Sequence, residues 1–399
     1  MNIIKTSLTA ALALSAATLA HADATLHITG STAFRGATMT AIQNILTGVK
    51  AAYYNGDGSS SLNGANLAII QGTHATFGVV TVKCIWTGSG AGIQVVDQDI
   101  PLSTWMANAN LPGSGTAAVA SPSYDSAVTA DVAMADNLQI STPFTSKVLV
   151  EPNDQPVGVI VFEWVSNVGT SAVFGSNTNA TKQLTQALLT GGMPLSMWTG
   201  NSADTNKGVY AIGRNADSGT RIITFAESGF GITTRPTQWY PTNFDGSGNI
   251  AQFDKYPAET VLGTPYSAGQ SGYDSGGKVA TQMKKACVAG GATGALAHFG
   301  PGYFMSYLGR NDANGVVTAG GLRFTWEGFV DTDTNVKEGR YTFWSYERMY
   351  YRDTLAGTEL SLAGAIADRI YNFDAPASGL KVTDLNVNRS GDGDLVVHN

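Results

Sequence analysis

The sequence predicts an α/β fold with mainly parallel sheets and helices on both faces. Three features predict it. Apolar runs of strand length recur along the chain, stretches with apolar residues at helical spacing separate them, and Gly-Ser-Thr corners join one to the other. At 399 residues the chain is longer than one hydrophobic core usually organises, so two lobes are expected.

Residues 1–22 read as a signal peptide. Lys5 supplies the positive end, a short apolar stretch follows, and Ala20-His21-Ala22 places small residues at the cleavage positions. The protein is therefore expected to be exported, to the periplasm or to the medium. Its formal net charge of −7 becomes about −8 once Lys5 is removed. That acidic balance, without clusters of Lys or Arg, argues against a nucleic-acid partner, which needs a basic footprint. Cys84 and Cys287 are too few for a disulfide scaffold and read as two isolated thiols. No Cys/His spacing suggests a metal site, and His27, His74 and His298 read as ordinary. No cofactor is expected.

The first strand is "TLHITG". Residues 31–54 after it show apolar positions at helical spacing, and "NGDGSSSLNGAN" forms a loop. Two short strands lead to a glycine-serine corner at Gly88-Ser89-Gly90 and a helix start. Residues 107–128 read as a surface excursion, "DVAMAD" as a buried strand, and "GVIVFEWV" as a strand buried on both faces of a parallel sheet. "TKQLTQALLTGG" is a helix stopped by glycines. "GVYAIGR" is a strand that enters the corner of "NADSGTRIITF". Residues 232–275 carry turn signals with little periodicity and read as a long insertion. "GGKVATQMKKACVAG" is helical and "GALAHFG" reads as a strand. "GLRFTWEGFV", "YTFWSYERMYY" and "LSLAGAIADRIYNF" complete a set of strands and a helix.

Three corners share one design: Gly30-Ser31-Thr32, Gly88-Ser89-Gly90 and Asp217-Ser218-Gly219-Thr220. Free N–H groups at helix starts, helped by the macrodipole and neighbouring hydroxyls, suit an anion, although Ser and Thr are also ordinary helix caps. Arg214 lies four residues before Ser218, so its planar fork of donors can fold back onto the same corner. Asp136, at the end of "DVAMAD", would repel an anion unless that anion carries a proton to donate. Hydrogen phosphate carries one and sulfate does not, so Asp136 is expected to select phosphate.

These pieces, in this order, resemble the phosphate-binding protein of bacterial ABC transporters within the two-lobed, type 2 periplasmic binding protein family. The matching segments are "ITGSTAF", "WTGSGAGIQ", "DVAMAD", "GVIVFEWV", "LTQALLTGGMPLSMW", "RNADSGTRIITF", "SGGKVATQMKKA" and "TGALAHFGPGY". The resemblance implies phosphate held in the interlobe cleft by Ser31, Thr32, Ala33, Phe34, Ser89, Asp136, Arg214, Ser218, Gly219 and Thr220, without a metal or catalytic residue. It also implies a membrane permease as partner and a monomer in solution. The family commonly has Arg-x-Asp-Gly-Ser-Gly-Thr, whereas here Asp217 stands directly before Ser218, one place later than usual.

The chain is expected to cross between lobes near 148–160 and to return near 294–305. Residues 23–150 with 300–399 would then form lobe 1, and 151–299 lobe 2. Two other classes compete with a solute receptor. A secreted phosphatase would need a nucleophile or metal cluster that the sequence does not display. A structural or adhesive protein could retain the fold, given the Gly/Asn/Ser-rich loops.

Overall fold

The computed structural model describes residues 24–399, so the signal-peptide reading of residues 1–22 lies outside the described residues. Among the described residues, thirteen strands form one sheet, with helices packed against it. Among the described residues, no helix is long and apolar enough to cross a membrane.

One half of the sheet is centred on the strand Ala24–Gly30. It pairs in parallel with Gly78–Ile85 on one side and Val132–Ala135 on the other. Leu26 and Ile28 are fully buried, as the alternating pattern demands. The other half is centred on Gly302–Gly309, which pairs in parallel with Gly208–Ala211. Two long strands, Gly158–Ser166 and Trp344–Arg352, join the halves. They pair with each other antiparallel over Gly158–Val161 and then diverge, the first to Gly302–Gly309 and the second to Val132–Ala135.

All nine residues of Gly158–Ser166 are buried, because both faces of the strand are covered. Trp164 stacks edge-on against Tyr307 at 5.5 Å, and each fully buried large side chain contributes about 1.5–3 kcal/mol.

The α/β class holds, but the sheet is mixed rather than mainly parallel. The strands Thr47–Tyr54, Leu67–His74 and Gly78–Ile85 pair antiparallel in sequence order, the last two through a three-residue turn too short for a crossover. Helix Arg35–Asn44 accordingly stops earlier than the helical spacing suggested, and Thr47–Tyr54, with Thr47, Val49, Tyr53 and Tyr54, takes the extended form. Gly158–Ser166 is buried on both faces as expected, yet its neighbours run antiparallel.

The run "GALAHFG" is a turn segment, and the strand begins only at Gly302, after Pro301, which lacks an N–H for the ladder. Residues 107–128 include Gly115–Val119, which extends the sheet edge beside Thr47–Tyr54. Residues 232–275 fold into two hairpins, Trp239–Phe244 with Ile250–Lys255 and Glu259–Val261 with Thr264–Tyr266. Cys84 and Cys287 are both free thiols.

The C-terminal segment touches both halves. Arg389 Nη1 donates to Glu227 Oε2 at 3.2 Å, while Asp392 Oδ2 accepts from the Leu138 N–H at 2.8 Å and from Ser141 Oγ at 2.6 Å.

Candidate functional site

The parallel pairing of Ala24–Gly30 with Val132–Ala135 brings two strand ends together, with Gly30 opposite Met134. Gly30 turns the chain at φ 114°, and a Cβ there would overlap the Met134 carbonyl, so only glycine permits this approach. Ser31 N–H closes the turn onto Met134 O at 2.8 Å. Helix Arg35–Asn44 then starts without a side-chain cap. The N–H groups of Thr32, Ala33 and Phe34 have no partner among the described residues. Such a start is a ready donor cluster for an anion.

Gly78–Ile85 ends on the other flank of Ala24–Gly30, and helix Ser89–Gln98 begins there, also without a side-chain cap. Ser89 Oγ donates to Asp136 Oδ1 at 2.6 Å. The other half supplies Arg214, just past the strand Gly208–Ala211, and helix Gly219–Ser228. Thr220 Oγ1 donates to Asp136 Oδ2 at 3.3 Å, so Asp136 joins a hydroxyl from each half. Gly90 N–H donates to Asp217 O at 2.7 Å, a second tie across the same line. The N–H groups of Gly219 and Thr220 have no partner among the described residues.

Arg214 is 2% exposed. Its Nε donates to Tyr273 O at 3.2 Å, and its Nη2 donates to Asp274 O at 3.0 Å and to Thr32 Oγ1 at 3.4 Å. It forms no ion pair among the described residues. The carboxyls of Asp136, Asp217 and Asp312 lie within reach of its charge but none pairs with it directly, so its hydrogen bonds go to neutral oxygens and an incoming anion would supply the contact partner. The structure therefore gathers Thr32, Ser89, Asp136, Arg214, Gly219 and Thr220 around one line between the halves.

Three of the sequence-derived residues have side chains engaged elsewhere. Ser31 Oγ donates to Glu347 Oε2 at 3.2 Å, and Ser218 Oγ caps its helix by accepting from the Arg221 N–H at 3.3 Å. The Phe34 ring is fully buried in the main core, and only its backbone faces the corner. Ala33 offers its N–H and lines a cavity of about 310 Å³ with Thr32 and Arg35 from one half and Asn311 and Asp312 from the other.

Burial pushes the Asp136 carboxyl above its ordinary value, against the Ser89 hydroxyl and the Arg214 charge, which act the other way. Sequence reasoning missed Glu347. It is fully buried in the joining strand Trp344–Arg352, where burial and then the Asp136 charge push its carboxyl well above the usual range. A lone acid inside the apolar run "YTFWSYERMYY" was the signal for it. Asp217 does not brace Arg214 with an ion pair. Its carboxyl, raised by burial to about 7, lies against Gly88, with Oδ1 unpartnered.

Among the described residues, no group of three His, Cys, Asp or Glu side chains is placed to hold a metal ion. His27 is occupied by Asp131, at 3.2 Å, and by the edge of Trp105.

No family model and no curated protein matches the chain. Solved structures do match it. One is described as a candidate phosphate ABC transporter substrate-binding protein with bound phosphate, from Clostridium perfringens; identity is 11% over 90% of this chain and 99% of that one, with a TM-score of 0.46. An ABC-type phosphate transport receptor from Vibrio cholerae matches at 12% identity over 86% of this chain and 93% of its own, with a TM-score of 0.40. PstS from Borrelia burgdorferi matches at 10% identity over 90% and 98%, with a TM-score of 0.38. All three TM-scores lie below 0.5, so the site's chemistry rests on this chain's own geometry.

Proposed function

We propose that this chain is an extracytoplasmic solute-binding protein that captures inorganic phosphate between its two halves and presents it to the permease of an ABC transporter. Arg214 carries the reading. It is a buried guanidinium with no ion pair among the described residues, bonded to Thr32 of the opposite half and set beside free amides at two helix starts. Its fixed charge and planar donors suit an oxyanion. Asp136 makes that oxyanion a protonated one: an ionised carboxylate can accept the proton of hydrogen phosphate, and it repels sulfate.

Each hydrogen bond to a charged group contributes roughly 1.5–3 kcal/mol. Several of them exceed the roughly 8 kcal/mol of a micromolar complex with margin for the entropic cost. Capture without turnover is the proposed activity, by a monomer after removal of the signal peptide. We assign the half centred on Ala24–Gly30 to one moving body and the half centred on Gly302–Gly309 to the other, hinged where the long strands cross, so the return to the first body falls on Trp344–Arg352 and not near 294–305.

Equilibrium dialysis of the mature protein against radiolabelled phosphate tests the reading. Retention that arsenate displaces is the expected result; no retention at millimolar phosphate would overturn it.

A further inference from the structure

Beside the Arg214 corner lies a second chamber, of about 380 Å³, a size in the range of small-molecule sites. Residues Thr142–Phe144 of one half form one wall, and helix Gly219–Ser228 with the hairpin Glu259–Val261/Thr264–Tyr266 forms the others. The long insertion thus builds a cavity that the Arg214 corner does not require. Its lining is largely apolar, with Ile222, Phe225, Val261 and Leu262 within and exposed Ile140 and Ile232 at the rim.

Two arginines face this apolar space. Arg221 is 5% exposed, and its Nη1 donates to Arg214 O at 3.1 Å and to Gln270 O at 3.0 Å. Its Nε and Nη2 have no hydrogen-bond partner among the described residues. The guanidinium lies 5.0 Å from the Phe225 ring centroid and 5.9 Å from that of Tyr266. The Arg235 guanidinium lies 3.8 Å from the Tyr266 ring centroid.

Neither arginine forms an ion pair among the described residues, in a chain of net charge −7 where Arg310, Arg323, Arg348, Arg352, Arg369 and Arg389 all do. Burial disfavours the charge of Arg221, and an arginine cannot escape by losing its proton. Its three unspent N–H donors and the aromatic faces around it match a carboxylate attached to an apolar body.

We propose that this chamber is a second binding site, for an organic carboxylate with an aromatic or aliphatic body, read by Arg221 and Arg235 through its charge and by the apolar lining through its body. It does not depend on what Arg214 holds.

The test is calorimetric titration of the full mature protein with benzoate, octanoate and 1-naphthoate, and with the corresponding neutral amides. At least one carboxylate is expected to bind, with its amide at least tenfold weaker. Arg235→Gln, an exposed change, is expected to weaken that carboxylate three- to tenfold while leaving its amide unchanged. Arg221→Gln, checked for folding by circular dichroism, should erase the preference for the carboxylate. Absence of binding by all three carboxylates would overturn the proposal, as would equal affinity for acid and amide. Phosphate added to the same samples reports on the Arg214 corner separately.

Discussion

The α-carbon of Gly219 lies against the carboxylate of Asp136, so that a Cβ on Gly219 would overlap Oδ1 and stand 2.7 Å from Ser89 Oγ. The two residues belong to different halves, and their contact exists only while the halves are together. Gly219→Ala is therefore expected to hold the cleft open. Phosphate affinity should fall by about a hundredfold or more, a change of roughly 2.7 kcal/mol, while the thermal midpoint of the unliganded protein shifts little. Calorimetry and a melting curve on one preparation check both, and unchanged affinity would show that the contact is not part of the bound state.

Arg214 supplies the positive charge, and its geometry matters as well as its sign. Arg214→Ala is expected to weaken phosphate binding about a hundredfold or more. Arg214→Lys should recover only part of that, because an ammonium cannot reproduce the planar fork. Equal affinity of the lysine variant and the natural protein, by calorimetry, would mean that charge alone suffices.

Asp136 is the proposed discriminator. Asp136→Asn replaces an acceptor-only carboxylate with an amide that also donates, and it removes a negative charge. Sulfate affinity is expected to rise by about tenfold or more and phosphate affinity to fall, narrowing the ratio between them. Competition of sulfate against labelled phosphate measures that ratio; an unchanged ratio would remove the role given to Asp136.

Asp217 makes stability depend on pH. Its carboxyl is raised from the ordinary 3.8 to about 7 by burial. Between those values the folded protein keeps a proton that the unfolded chain has lost. The contribution is fully present below about pH 4, declines as pH rises to about 7, and then levels off. Asp217→Asn should remove this decline, so that denaturant midpoints from pH 4 to pH 8 fall less steeply than in the natural protein. Parallel slopes would contradict the assignment.

Much of this was legible in the sequence, and the reasons for the rest are physical. The α/β class and the corners at Gly30, Gly88 and Ser218 follow from local patterns, apolar periodicity and strand-to-helix punctuation, and the helices at Ser89 and Gly219 begin where those patterns place them. Strand direction is a long-range property, so the antiparallel partners of Gly158–Ser166 left no mark on its own residues. Thr47–Tyr54 carried helical spacing by chance and was decided by its sheet neighbours.

At the site, Arg214 and Asp136 stood out by charge in apolar surroundings, and Glu347 offered the same signal from a distant strand. The engagement of Ser31 with Glu347 and of Ser218 with its own helix depends on side-chain direction, which spacing does not encode. The hairpins of 232–275 were hidden for another reason: their pairing lies across turns without strong periodicity.

The most direct test of the central claim is calorimetric titration of the mature, unsubstituted protein with phosphate and with sulfate at pH 7 and equal ionic strength. The site described here predicts one phosphate per chain at micromolar affinity or tighter, with sulfate at least a hundredfold weaker. Sulfate binding as tight as phosphate, or no binding of phosphate, would contradict it.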